Sequence, residues 1–412
     1  MKKLLILSAL VLACLSCTGQ SAEQTVQTGI EVLRQQNFQC LQGKRVGLCT
    51  NPTGIDSHLR TTIDILNEAP DVNLVALYGP EHGVRGNIHA GDKVGNEIDP
   101  KTGIPMYSLY GATRKPTKEM MDEIDVMVYD IQDIGCRSFT YISTMGMLME
   151  ACAEYGKELV VLDRPNPLGG LKIEGNLAED GYISFVSQFK IPYLYGLTCG
   201  ELALLLNGEQ MLGEPCQLTV VPMKGWTRDM LWNDTRLPWV ASSPHIPSGE
   251  TSYFYPATGI FGELGYFSIG VGYTLPFQLI GADWISADSL AIALTALQVP
   301  GVIFRPIYYK PYYSVGQGQQ YQGVQIYFTD FEKAPVSDLQ FLIVQELMRM
   351  YPDKDVFALC NQQRFGMFDK VCGTNYIREN FGKRYRWDDV RDYWYKDVDA
   401  FRELSTKYYL YQ

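Results

Sequence analysis

From Lys44 to about Gly170 the chain repeats one theme: an apolar, β-branched run ends in a polar, glycine-rich turn, and a helical pattern follows. That is the rhythm of successive βαβ units. The runs are Arg45-Val-Gly-Leu-Cys49, Asn73-Leu-Val-Ala-Leu-Tyr78, Asp125-Val-Met-Val-Tyr129 and Glu158-Leu-Val-Val-Leu162. They are continuous rather than alternating, as strands buried on both faces must be, and so predict an open parallel sheet. Helices are predicted at Leu59 to Glu68, Lys118 to Glu123 and Thr144 to Tyr155. In the last of these, Met145, Leu148, Met149 and Cys152 repeat at i, i+3, i+4 and i+7. A further helix, Thr198 to Leu206, opens with Thr and Glu at capping-box spacing, which marks Glu201 as structural.

Between Trp226 and Gly272 the rhythm stops and Pro, Ser, Gly and aromatic residues take over, predicting a boundary or crossover. Beyond it come a helical pattern at Ala287 to Leu297, strand-like segments at Val302 to Pro306 and Gly323 to Thr329, a long helix from Val336 to Met350, and a Tyr/Trp-rich tail. With 412 residues the chain exceeds the size at which one core stops growing. The expected fold class is α/β: a parallel-sheet domain over 38–248 with helices on both faces, and a smaller α+β domain over 249–412 forming one wall of a cleft.

Lys2 and Lys3 followed by the apolar run Leu4 to Leu12 read as a secretory signal over 1–17, too short to stay as a membrane span. Residues 18–37 then form a linker, and the expected location is exported, either periplasmic or membrane-anchored as a lipoprotein. Cys14 and Cys17 both stand where a lipidated cysteine would, and Cys17, just before the polar stretch from Thr18, is preferred. A plain signal peptide with incidental cysteines is the alternative. A lipid anchor is the one membrane contact expected. The other eight cysteines form no CxxC and no His/Cys cluster, so they are read as reduced packing residues. A formal net charge of -11, with no Lys/Arg run among aromatics, argues against nucleic acid as a partner.

In open α/β sheets ligands bind beyond the carboxyl ends of the strands. The informative residues therefore follow each run: Thr50-Asn51-Pro52-Thr53-Gly54; Gly79-Pro80-Glu81-His82-Gly83-Val84-Arg85-Gly86; Asp130-Ile-Gln-Asp133-Ile-Gly135-Cys-Arg137; and Asp163-Arg164-Pro165-Asn166-Pro167-Leu168-Gly169-Gly170. If these loops are neighbours, Glu81, Asp92, Asp130, Asp133 and Asp163 meet Arg85, Arg137 and Arg164 in one crevice. Acids of unequal pairing suit glycoside hydrolysis, where one carboxyl donates a proton and another activates water or attacks the sugar. Against this, Asp163 and Arg164 are equally a structural ion pair, and Asp130 and Asp133 equally hold backbone amides in turns. Glu81 is favoured for chemistry, because Gly79-Pro80 and Gly83 set it on a tight turn directly after a buried strand. No strand is followed by GxGxxG, so no nicotinamide cofactor, nor any other, is implied. His82 and His89 with Asp92 are too sparse a set to imply a metal.

The ordered motifs Leu77-Tyr-Gly-Pro-Glu-His-Gly-Val-Arg-Gly86, Tyr129-Asp-Ile-Gln-Asp-Ile-Gly135, Asp163-Arg-Pro-Asn-Pro-Leu-Gly-Gly170 and Tyr195-Gly-Leu-Thr-Cys-Gly-Glu201 resemble the NamZ exo-β-N-acetylmuramidases, formerly the DUF1343 proteins. The resemblance covers nearly everything after the signal. It implies a Rossmann-like amino-terminal domain, a smaller carboxyl-terminal domain, a site in the cleft between them, and release of N-acetylmuramic acid from the non-reducing ends of peptidoglycan fragments. The family's proposed catalytic glutamate maps to Glu81. The chain departs from the pattern where Ser-Pro-Asn-Ile-Pro becomes Ser243-Pro-His245-Ile-Pro247, where Ser-Glu-Gly-Arg-Gly becomes Ser268-Ile-Gly-Val-Gly272, where His-Gly-Met-Thr becomes Tyr195-Gly-Leu-Thr198, and where Glu-Gly-Pro becomes Glu174-Gly-Asn176. The expected catalytic set is Glu81, Asp133 and Asp163. The expected substrate-binding set is Asn51, His82, Arg85, Asp92, Arg137, Arg164, Asn166, Glu174 and His245. The alternative is a carbohydrate-binding or scaffold lipoprotein that kept the fold after losing activity.

Overall fold

A computed structural model describes residues 25–81, 83–86, 97–111 and 113–412. The signal, Cys14, Cys17, His82, His89 and Asp92 lie outside the described residues.

The four apolar runs become β1 (Arg45–Thr50), β2 (Asn73–Gly79), β5 (Val126–Asp130) and β6 (Glu158–Leu162) of a seven-stranded sheet. Its order is β3-β4-β2-β1-β5-β6-β7, completed by β3 (Glu97–Ile98), β4 (Pro105–Ser108) and β7 (Gln217–Val221). All pairings are parallel except β3 with β4 at the edge.

The strand residues explain the layers. Val126, Val128, Val160 and Leu162 face one way, against α1 (Gly29–Gln35) and α2 (Thr62–Glu68). Their neighbours Met127, Tyr129, Leu159 and Val161 face the other way, against α3 (Lys118–Asp122), α4 (Tyr141–Tyr155) and α5 (Cys199–Gly208). With both faces covered, every second residue finds an apolar partner, which is why the runs do not alternate. Glu201 completes a capping box with Thr198 and also pairs with Arg228 at 2.8 Å, so its structural reading holds.

After α6 (Thr251–Gly262) the chain builds a three-stranded antiparallel sheet, ordered β8-β10-β9, from β8 (Leu279–Ala282), β9 (Val302–Tyr309) and β10 (Tyr321–Phe328). The helices α7 (Ala287–Ala296) and α8 (Asp338–Met350) follow the sequence pattern, and short helices, α9 (Val356–Leu359) to α13 (Val398–Ser405), form the tail. α6 was not expected, because it carries Pro256 within a Gly- and aromatic-rich stretch. A side chain bridges the turn that follows this proline. Buried Gln340 of α8 donates to the Pro256 carbonyl at 2.9 Å and accepts from the Ile260 amide at 3.0 Å, standing in for a helical hydrogen bond.

The two sheets are not separately cored. Ile134, Cys136, Leu168 and Tyr193 pack in the same apolar cluster as Phe261, Phe341, Phe368 and Trp394. All eight cysteines among the described residues are free, and seven are buried.

Candidate active site

Strand order locates the site. β1 is flanked by β2 and β5; from it the chain winds outward through β2 and β4, then returns to wind the other way through β5, β6 and β7. The crevice at the carboxyl ends of β1 and β5 is therefore the topological switch point. Gly54 lets the loops close there, because a Cβ at this position would lie 2.1 Å from Thr50 Oγ1 and 3.0 Å from the Asp130 carbonyl.

Glu81 stands at the edge of that crevice on the turn after β2, which the Gly83 amide closes onto the Pro80 carbonyl at 2.9 Å. Gly83 has φ +74°, a conformation that favours glycine. The Glu81 carboxylate, half-buried, accepts from Thr140 Oγ1 at 3.3 Å. Thr140 immediately precedes α4 and spends its hydroxyl on Glu81 rather than on capping the helix. The acid thus lies near the positive end of a fifteen-residue helix. Three phenols surround it. Tyr110 is pushed up to about 12 by burial and by the Glu81 charge. Tyr141 and Tyr255 are also raised, by burial first, with Glu81 adding to each.

Behind Glu81, Asp133 is fully enclosed. Its Oδ2 accepts from the Gly135 amide at 2.7 Å and from the Tyr195 hydroxyl, and burial pushes its carboxyl up to about 6. Asn51 folds back on Thr53, its Oδ1 accepting from the Thr53 amide at 2.9 Å. Gln132 ties the β5 and β6 loops together by donating to the Pro165 carbonyl at 2.7 Å. Asn51 Nδ2, Gln132 Oε1 and Asp133 Oδ1 are buried with no hydrogen-bond partner among the described residues. Tyr141 links Glu81 and Asp133, feeling both charges, and its hydroxyl donates to the Ser242 carbonyl.

The remaining expected residues are drawn elsewhere. Asp163 accepts from the Arg164 amide, Thr198 Oγ1, the Gly200 amide and Tyr411 Oη at 2.5–3.0 Å, which fills its lone pairs and pins α5 and the chain terminus. Burial pushes it up to about 6 as well. Arg164 does not pair with it. Its guanidinium instead grips both oxygens of Asp130, at 2.5 and 3.0 Å. Arg137 meets no acid among the described residues: its five hydrogen-bond partners are Ser187 Oγ and the carbonyls of Asn176, Ile191, Val371 and Cys372. Arg85 holds Asp99 bidentately at 3.0 and 2.9 Å, bringing that carboxyl down to about 2. Asn166 braces its own loop, donating to the Leu197 carbonyl and accepting from the Leu168 amide. Glu174 accepts from the Val336 and Ser337 amides ahead of α8, a favourable place for an anion. It lines a separate cavity of about 600 Å³ with Lys172 and Phe331. His245 Nε2 lies 2.9 Å from Tyr313 Oη, on the crossover that also carries Ser242. Ile269 and Val271, where the resembled pattern has Glu and Arg, pack on the apolar core.

Tyr110, Thr140, Tyr141 and Tyr255 were not foreseen. The start of α4, at Tyr141 rather than Thr144, was the signal that would have placed two of them.

Comparison with known proteins shows the family of the chain. The profile described as exo-beta-N-acetylmuramidase NamZ, N-terminal, matches residues 46–250, and its C-terminal counterpart matches 253–411. The chain is 44% identical over 401 residues to the peptidoglycan beta-N-acetylmuramidase NamZ of Bacillus subtilis (strain 168), covering 96% of this chain and 95% of that one. Crystal structures of two DUF1343 family proteins from Bacteroides fragilis NCTC 9343 superpose with TM-scores of 0.92 and 0.74, at 66% and 30% identity. Each covers 94% of this chain and 99% of its own. This chain belongs to the exo-β-N-acetylmuramidase NamZ family.

Proposed function

We propose that the chain is a peptidoglycan glycosidase that releases a terminal N-acetylmuramic acid from the non-reducing end of glycan fragments, with Glu81 transferring the proton or stabilising charge at the sugar. One observation carries the residue assignment. Among the described acids that the sequence singles out, Asp130, Asp163 and Glu174 are tied into ion pairs or amide clusters and Asp133 is enclosed. Glu81 stands half-buried, held only by the hydroxyls of Thr140 and Tyr110 and meeting no cation among the described residues. Such a carboxylate is free to follow a glycosidic oxygen. Asp133, enclosed and raised to about 6 by burial, holds the loop after β5 through the Gly135 amide and the Tyr195 hydroxyl.

Asn51 and His245 line the same crevice and crossover and are assigned to substrate binding. Arg85, Arg164 and Asn166 act through the loops they hold. The activity is tested with a disaccharide bearing N-acetylmuramic acid at its non-reducing end. Release of free N-acetylmuramic acid is expected, and an intact disaccharide would support the scaffold reading instead.

Export and lipid anchoring at Cys17 belong to the same proposal, supported by Lys2, Lys3 and the apolar run to Leu12. Metabolic labelling with a palmitate analogue is expected to mark the wild type and not Cys17→Ala.

A further inference from the structure

The loop after β9 presents two tyrosines to solvent, Tyr312 at 68% and Tyr313 at 49% exposure. Large exposed aromatics are costly surface, and these two are held rather than loose. Tyr312 stacks on Tyr273 with ring centroids 6.0 Å apart and planes 25° from parallel, and Tyr273 in turn rests against Tyr309 at 5.1 Å. The Tyr312 amide donates to the Gly272 carbonyl at 2.7 Å, and the Gly318 amide closes the loop on the Pro311 carbonyl at 2.9 Å. Gly272 permits the approach: its φ is +91°, and a Cβ there would lie 2.0 Å from the Tyr313 carbonyl oxygen. The Tyr313 hydroxyl meets His245 Nε2.

A short chain of contacts joins this loop to the site. Tyr141, which feels the Glu81 charge, binds the Ser242 carbonyl, and His245 follows three residues later. Three residues span at most about 10 Å, so the crossover from Ser242 to His245 ties this loop to the wall of the site that Tyr141 forms.

We propose that Tyr312 and Tyr313 form an aromatic platform for a saccharide ring of the glycan on the leaving-group side of the scissile bond. The proposal rests on the glycosidase reading above. An enzyme that removes a terminal sugar at Glu81 leaves the rest of the glycan on the far side of that bond, and any ring bound well away from Glu81 belongs to it. A β-linked pyranose offers a flat face of C–H groups around a polar rim. A fixed phenol ring matches the face by area and the rim by its hydroxyl. The platform therefore makes affinity depend on glycan length.

The test is calorimetric, using Glu81→Gln to prevent turnover, with a disaccharide and a tetrasaccharide of alternating N-acetylmuramic acid and N-acetylglucosamine. The tetrasaccharide is expected to bind about tenfold more tightly than the disaccharide, the scale of one aromatic contact. Adding Tyr312→Ala and Tyr313→Ala is expected to abolish that ratio, and Tyr312→Phe, which keeps the ring, to retain it. A ratio near one before the change, an undiminished ratio after it, or no binding of either glycan would overturn the platform. Failure of the glycosidase reading is seen separately, as wild-type protein that releases no N-acetylmuramic acid from either fragment.

Discussion

Arg137 Nη2 donates to the carbonyl of Cys372 at 2.9 Å, joining the loop after β5 to the carboxyl-terminal helices across 235 residues of sequence. The guanidinium is wholly buried and has five oxygen partners, none of them charged. Burial without an anion lowers its pKa to about 10. The fan of partners suits the geometry of Arg, whose donors are spread over a rigid plane, and not the compact ammonium of Lys.

Arg137→Lys is therefore expected to leave buried carbonyls without donors and to cost about 2–4 kcal/mol of stability, since each orphaned group costs about 1–3 kcal/mol. Urea unfolding midpoints measure this. An unchanged midpoint would mean that the contacts do not join the two halves of the chain.

Asp133 gives a pH dependence of definite sign. Its folded carboxyl is raised to about 6 from an ordinary 3.8 by burial, so the folded state holds a proton that the unfolded chain releases. Its contribution to stability is complete below the ordinary value and is lost as pH rises through about 6. Asp163, raised likewise, acts in the same direction. Unfolding free energy measured between pH 4 and pH 8 is expected to decline less steeply in Asp133→Asn than in the wild type. Identical slopes would place Asp133 among ordinary ionised carboxylates.

Tyr141→Phe removes the hydroxyl that holds the Ser242 carbonyl between Glu81 and the crossover. The ring stays buried, so the fold is expected to survive with a loss of about 1–3 kcal/mol. A fall in kcat of about tenfold is expected if the hydroxyl positions the wall of the site, about 1.4 kcal/mol in the barrier. Steady-state kinetics well below the Tm separate the two effects. Unchanged kcat with lowered Tm would make Tyr141 purely structural.

The sheet was legible because its strands are buried on both faces, and that requirement writes itself as uninterrupted apolar runs at β1, β2, β5 and β6. β7 was less visible, since its residues are only half-covered, and β3 and β4 are short strands, with β3 at the edge. α6 was hidden because the turn that follows Pro256 is bridged by Gln340, more than eighty residues away in the chain. In the site, the turn glycines around Glu81 pointed to a loop at the strand end, and strand order placed that loop beside the switch point. The roles of Asp163, Arg137 and Arg164 were not legible. A charged residue after a strand looks the same whether its partners are substrate atoms or Tyr411, Cys372 and Asp130, and those partners come from distant parts of the chain. The phenols around Glu81 were missed for a related reason: tyrosine in a loop carries no spacing rule, and only the folded chain gathers Tyr110, Tyr141 and Tyr255.

Glu81→Gln is the most direct test of the central claim, because it keeps the shape and hydrogen-bonding reach of the side chain and removes the ionisable group. A positioned acid or base contributes a factor of about 10²–10⁴, so kcat for release of N-acetylmuramic acid is expected to fall at least about a hundredfold while the Tm stays close to that of the wild type. A folded Glu81→Gln protein that releases N-acetylmuramic acid at the wild-type rate would contradict the account.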